Sequence, residues 1–411
     1  MNAQPGQSRP LAGLRVVELS SYVATPLCGM TLAQLGADVI RVEPLGGAPD
    51  RTRMPRSAEG TSLYWSGLNQ GKRALAVDMS SAAGRELVRD VICAGDDPAA
   101  DPGGAIVVAN SDRYHELTYD GLVGRRPDLV YAFLTGRRDG GSAVDYTVQA
   151  ATGFPSLSGP RDSVVPSNGV VPAFDIAAGL YAATGILAAV HARRETGRGA
   201  HLQIALEDVG FVAAGALGYL AEAQLGGVQR GPSGNDVFGT FGRDFVSSDG
   251  VRFMLVVLTG SHWRRLLEAT GLTEAMASVE KALEADFSDE SERYRCRGVI
   301  GSLLEDWCRR HTWAEVETAL VGSRALHAPY RTFSDLAADD AAVMRAHPLF
   351  SELHQPGAGT YLAPGSPVRL GETQVPPAPA PAVGQHTADV LADLGLDPER
   401  LAALRAEGVV A

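Results

Sequence analysis

The stretch LRVVELSSYVATPLCGMTLAQLGADVIRV, residues 14–42, decides the fold class. Leu14–Leu19 is a short β-branched run, as expected of a buried strand. Residues 26–36 repeat apolar side chains at helical spacing, and residues 37–42 return to a strand pattern that Glu43-Pro44 ends. Strand, helix and strand in immediate succession predict a doubly wound α/β sheet. The turn SSYVATP after the first strand holds no G-x-G-x-x-G, so a dinucleotide is not indicated.

Outward from this unit, residues 74–78, 105–110, 129–134 and 201–206 read as further strands, and residues 84–92 as a helix. The loop Gly136–Gly141 (GRRDGG) leaves the carboxyl end of a strand, where open α/β sheets line their ligand crevice. Arg137 and Arg138 therefore read either as carboxylate or phosphate ligands or as a solvated turn. Asp145 opens another helix, and residues 211–225 are an Ala/Gly-rich helical stretch. Residues 226–234 resemble a linker. Beyond it, residues 241–246 and 252–258 form an expected hairpin with its turn at Asp249-Gly250. Helices are expected around 263–270, 298–311 and 313–321, so this part reads as a small α+β unit. Residues 329–340 lead back to the first part. Residues 376–381 (PPAPAP) are a stiff connector, and amphipathic helices follow at 386–394 and 398–407.

Residues 170–199, VVPAFDIAAGLYAATGILAAVHARRETGRG, carry the chemistry. Ile176, Leu180, Ile186, Leu187 and Val190 mark a buried helix made thin by Ala177, Ala178, Gly179, Ala182, Ala183 and Gly185. The basic, Gly-containing tail stops it. Asp175 falls at the helix start, where backbone N–H groups and the macrodipole stabilise an anion. It is either an N-cap or a nucleophile poised to attack an acyl carbon, and local pattern leaves both open.

The 411 residues suffice for a large and a small domain, and a hydrophobic share of 45% suits a globular core. A net charge of −12 argues against nucleic acid as a partner. The four scattered cysteines, with no C-x-x-C pair, suit reduced thiols and a cytoplasmic setting. The first ten residues lack the apolar core of a signal peptide, and no apolar run reaches membrane-span length without polar interruption, so no membrane association is expected. P-loop, G-x-S-x-G and H-E-x-x-H motifs are absent, and the nine histidines do not cluster as metal ligands. His201 and His262 read as packing or surface residues. Lys72-Arg73 reads as a phosphate contact or a structural pair.

Five segments together resemble CoA-transferase family III, the formyl-CoA and carnitine CoA-transferase group. They are LAGLRVVELSSYVATPL (11–27), MTLAQLGADVIRVEP (30–44), YWSGLNQGKRALAVD (64–78), the segment 172–199 and the SSDG turn at 247–250. The resemblance runs nearly end to end. It implies a Rossmann-like large domain (1–225 plus 331–411), a small α+β domain (226–330) and an interlocked homodimer. It makes Asp175 the catalytic carboxylate, although a cap role can coexist. It implies CoA and substrate contacts at Val23, Ala24, Arg73, Val77 and Asp78. Further contacts fall at Asn110, Arg137, Arg138, Ser142, Val144 and Asp145.

GRRDGGSAVDYTV (136–148) and FGRDF (241–245) resemble more narrowly the branch that moves CoA within one mesaconyl-CoA, from C1 to C4. That implies an aspartyl-CoA thioester, acyl-CoA as substrate, and no metal, ATP or cofactor beyond CoA itself. Oxyanions would be met by helix-start amides near Asp175 or by Gly-rich loops, and Arg137 or Arg138 would hold the free carboxylate. Transfer to a separate acid is the alternative, and a 2-methylacyl-CoA racemase or a non-catalytic CoA-binding protein are others. Three departures stand out. Val23 replaces a common Gln, Asn110-Ser111 stands for an N-F-x-P-G segment, and no glycine-rich flap is visible. Val144 stands where racemases carry a His, which removes the base that α-proton abstraction needs.

Overall fold

The computed structural model describes residues 9–94, 105–226, 230–338 and 343–411. The first eight residues, part of the linker (227–229) and part of the returning segment (339–340) lie outside this range. In chain order come β1 (Arg15–Leu19), α1 (Ala24–Gln34), β2 (Asp38–Glu43), α2 (Leu63–Leu68), β3 (Arg73–Ala76) and α3 (Ala82–Cys93). Then follow β4 (Ala105–Ala109), α4 (Tyr119–Leu122), β5 (Val130–Thr135), α5 (Asp145–Ala151), α6 (Ala173–Thr196), β6 (Ala200–Ala205), α7 (Leu206–Ala216) and α8 (Tyr219–Leu225).

β1 to β6 form one parallel sheet in the order β3-β2-β1-β4-β5-β6. The order reverses between β1 and β4, and a doubly wound sheet opens its ligand crevice at the carboxyl ends there. β4 is buried at every position, as expected of a parallel strand covered on both faces. The chain divides into two compact units. The first holds the sheet and the C-terminal helices Thr387–Ala392 and Pro398–Ala406. The second joins Phe154–Asn168 to Val228–Asp339 and has its own core around Phe241, Phe253, Trp263 and Phe287. Its antiparallel sheet adds the strand Leu326–Pro329 to the expected hairpin.

Two expectations change in detail. The helical stretch 211–225 is two helices, because Gly218 takes φ +80° and breaks the run between α7 and α8. An antiparallel hairpin, Phe350–Gln355 with Gly359–Pro364, occupies a region without a strand assignment from sequence. The PPAPAP connector is tied down: Ala380 N–H donates to Gln355 Oε1 at 2.8 Å, and the Pro379 carbonyl accepts from Gly71 N–H at 3.3 Å.

α6 is long and apolar enough to cross a membrane. In this fold it packs against α1, β5 and β6 instead. Its thinness is used at Gly179, where a Cβ would stand 2.5 Å from the Ala24 carbonyl oxygen. The start of α1 thus rests directly on the first turns of α6.

A buried charge network fixes the loop from β1 to α1. Arg41 donates from Nη1 to Glu18 Oε1 at 2.9 Å and Ser20 Oγ at 2.8 Å, and from Nη2 to Asp50 at 3.1 and 3.2 Å. Lys72 Nζ donates to Asn69 Oδ1 and to the Pro26 carbonyl, both at 2.8 Å, and lies 2.8 Å from Glu18. Glu18, Arg41 and Asp50 are essentially inaccessible. Burial pulls the Lys72 ammonium down to about 8 while Glu18 pushes it back up. Replacing Arg41 by Met leaves Glu18 and Asp50 buried without their guanidinium. Urea unfolding should show a loss of about 3–5 kcal/mol. A loss below about 1 kcal/mol would mean that the network is dispensable.

Candidate active site

α6 begins two residues before Asp175. Pro172 holds the N-cap position and has no capping side chain. Asp175 is therefore not the N-cap. The cap comes from another helix: Asp145 Oδ2 accepts from Phe174 N–H at 2.8 Å and from Asp175 N–H at 3.1 Å. Asp145 is buried, and its other oxygen accepts from Gln149 Nε2. Gln149 Oε1 accepts from Gly169 N–H at 2.7 Å. Ala173 N–H donates to the Val171 carbonyl and Ile176 N–H to the Pro172 carbonyl. Every first-turn amide from 173 to 176 is engaged, so the expected oxyanion donors at this helix start are not free.

With the backbone supplied from elsewhere, the Asp175 carboxylate has no hydrogen bond or ion pair among the described residues. It is half-buried at the helix mouth. Burial, then the Asp145 charge, pushes its pKa up to about 6, and Arg53 draws it back. The Arg53 guanidinium lies 5.2 Å from the Tyr22 ring and 4.8 Å from the Tyr64 ring. Burial raises the Tyr64 hydroxyl, Arg53 opposes that, and the Asp175 charge adds to it. Tyr22 takes φ +71°, and its N–H donates to Asp50 Oδ2 at 3.0 Å, which ties this corner to the buried network.

Val23 is the buried N-cap position of α1, and Ala24 is the first residue of α1 and abuts Gly179. Val144 precedes α5, exposed, with its N–H donating to Thr147 Oγ1 at 3.0 Å. Asn110 follows β4 and spans the switch point: its Oδ1 accepts from Ser21 N–H and its Nδ2 donates to the Ser21 carbonyl. Val77 and Asp78 follow β3. Asp78 accepts from Ser80 N–H and Oγ, which holds its carboxyl below the usual range. Ser142 is exposed in the loop ahead of α5.

Arg73 sits at the other end of the sheet. It is the first residue of β3, at the amino end of the sheet, and it pairs with Asp38 at 2.6 Å and Asp393 at 2.8 Å. Its guanidinium is committed far from the carboxyl ends. Arg138 is likewise engaged, 2.8 Å from Asp208, and Arg137 lies 3.6 Å from Glu207. Sequence reasoning missed Arg53, Tyr22 and Tyr64. The basic run RTRMPR at 51–56 was the available signal.

A half-buried, unpartnered carboxylate beside the switch point of a doubly wound sheet suits acyl transfer. Comparison with known proteins agrees. The model of CoA-transferase family III matches residues 11–387. The chain belongs to CoA-transferase family III. It is 44% identical over 404 residues to the 2-methylfumaryl-CoA isomerase of Chloroflexus aurantiacus, covering 98% of each chain. It is 30% identical to the succinate–glutarate CoA-transferase of Agrobacterium fabrum, over 96% of this chain and 98% of that one. A CAIB/BAIF family protein from Brucella suis superposes with TM-score 0.73 at 28% identity, covering 94% of this chain and all of the other. As a family III enzyme the chain acts on CoA substrates. No group of His, Cys, Asp or Glu able to hold a metal occurs among the described residues, and the described cysteines are free and buried.

A carboxyl near 6 is protonated below that pH and cannot attack. The rate should therefore rise with pH through about 6 and level off above it. Asp145→Asn removes a neighbouring anion and should shift this limb to lower pH. A pH–rate profile of kcat/KM measures both, and an unshifted limb in the variant would remove Asp145 from the electrostatics.

Proposed function

We propose that this enzyme moves CoA within one molecule, converting 2-methylfumaryl-CoA to 3-methylfumaryl-CoA through an aspartyl-CoA thioester on Asp175. The identity to the Chloroflexus isomerase, spread over 98% of both chains, carries the reading. The unpartnered Asp175 carboxylate supports it, because a nucleophile must be unencumbered to reach an acyl carbon.

The steps balance without ATP or metal. An Asp175 oxygen attacks the C1 thioester carbonyl; the C–S bond breaks, giving a mixed anhydride and CoA thiolate. Thiolate attacks the aspartyl carbonyl, and mesaconate leaves with the bridging oxygen. Asp175 now carries CoA as a thioester. The C4 carboxylate of the retained mesaconate attacks that carbonyl and expels thiolate. Thiolate then attacks C4, and Asp175 departs as a carboxylate with an oxygen taken from C4. No proton is gained or lost. Retaining the diacid matters because a held reactant is worth up to about 7–11 kcal/mol of barrier over a free one.

A homodimer and a cytoplasmic location belong to the same reading. Exposed apolar residues on and between consecutive helices, Leu180, Tyr181, Phe211, Val212, Leu217 and Leu225, are suited to cover by a second copy.

Incubating the protein with synthetic mesaconyl-C1-CoA and following the isomers by chromatography tests the reaction. Asp175→Ala should abolish turnover while leaving the circular dichroism spectrum unchanged. Hydroxylamine should trap a hydroxamate on Asp175 in the native enzyme only. An alanine variant that still isomerises would end this mechanism.

A further inference from the structure

We propose that Arg53 holds the distal carboxylate of the acyl group while its other end reacts at Asp175. The inference rests on the diacid substrate of the preceding reading, and it moves to Arg53 a role first expected of Arg137 or Arg138.

The cations around the nucleophile sort by what already holds them. Arg41 and Lys72 are buried in the Glu18 network. Arg51 reaches Glu43 at 2.6 and 2.7 Å and lies 3.6 Å from the Trp65 ring centroid. Arg138 is paired with Asp208. The Arg53 guanidinium has no hydrogen bond or salt bridge among the described residues. It is nevertheless held, with the Tyr22 and Tyr64 rings within 5.2 Å of its guanidinium carbon. Ring contacts of this kind fix the guanidinium and leave N–H groups unspent, and a carboxylate can take two of those at once.

Its backbone is equally fixed. Arg53 follows the short helix Pro49–Thr52, and its N–H donates to the Asp50 carbonyl at 3.1 Å. Asp50 is locked by Arg41, and Arg51 by Glu43. Tyr22 is one residue from Val23 and two from Ala24, the residue pressed against α6 one turn beyond Asp175. The guanidinium is therefore presented beside the nucleophile by elements that do not have to reorganise.

This placement suits a diacid that must react at both ends in turn. While C1 is attacked, Arg53 neutralises the C4 carboxylate. Once mesaconate is released from Asp175 it must turn end for end before CoA is lost. Arg53 can exchange one carboxylate for the other and keep the dianion in place.

The experiment compares native enzyme with Arg53→Gln and Arg53→Lys at about pH 8, where Asp175 stays ionised in every variant. Three readouts are taken: isomerisation of mesaconyl-C1-CoA, uptake of deuterated mesaconate into product, and hydroxamate formation from crotonyl-CoA, which has no second carboxylate. Arg53→Gln should lose at least about tenfold in isomerisation, as expected for a charge-assisted pair. It should take up external mesaconate that the native enzyme excludes, and its crotonyl-CoA reaction should change little. Arg53→Lys should fall between. Equal losses with both acyl-CoAs, or no new uptake of label, would overturn the assignment. Calorimetry of mesaconate with the CoA-loaded protein separates the two proposals. A native enzyme that binds the diacid through Arg53 but does not isomerise sinks the reaction and spares the clamp. Unchanged affinity in Arg53→Gln sinks the clamp alone.

Discussion

The site depends on one division of labour between two carboxylates. Asp145 is buried and accepts from two amides at the start of α6 and from Gln149, so its hydrogen-bonding capacity is consumed by structure. Asp175 stands on the same turn with nothing to hold. An Asp at this place would ordinarily be drawn back onto its own helix amides and become a poor nucleophile. Because a second residue already satisfies those amides, Asp175 is left without a partner, as the proposed nucleophile requires. Burial raises the Asp175 pKa, the like charge of Asp145 adds to the rise, and Arg53 limits it.

A second constraint lies beneath. The loop after β1 adopts a positive φ at Tyr22, a conformation that costs free energy for a bulky residue. The Tyr22 amide is received by Asp50, Asp50 by Arg41, and Arg41 by Glu18 in the middle of β1. These groups are worth little as a net stabilising balance, because desolvation offsets their attraction. Their value is positional: they make one geometry of the loop acceptable and every other leave a buried charge unpaired. Tyr22, Val23 and the start of α1 are thereby set against α6.

Much of the fold was legible in the sequence because parallel strands and amphipathic helices write their period into it. Residues 14–42, 105–110 and 129–134 needed no tertiary information. The hairpin at 350–364 and the capture of 154–168 by the second unit did, since neither has a period that separates it from a loop. Asp175 was singled out through family resemblance, whereas its position inside the helix was not legible, because an N-cap and a third helical residue look alike in one dimension. Arg73 and Arg53 show the same limit from opposite sides. Both are arginines near turns, yet one is spent on Asp38 at the amino end of the sheet and the other is kept open by two tyrosine rings. Charge is visible in a sequence; whether it has already found its partner is not.

The raised pKa of Asp175 also fits the proposed mechanism, in which the group attacks and leaves in the same cycle. A carboxylate of ordinary acidity leaves an anhydride readily but attacks a thioester weakly. A group near 6 is more basic, hence more nucleophilic, and is still mostly ionised at neutral pH. The shift comes from burial, the same condition that keeps water from a labile anhydride. An exposed aspartate would have neither property. In the proposed mechanism, nucleophilicity and protection from hydrolysis are therefore one consequence of seating the carboxylate at the mouth of a narrow helix instead of on an open loop.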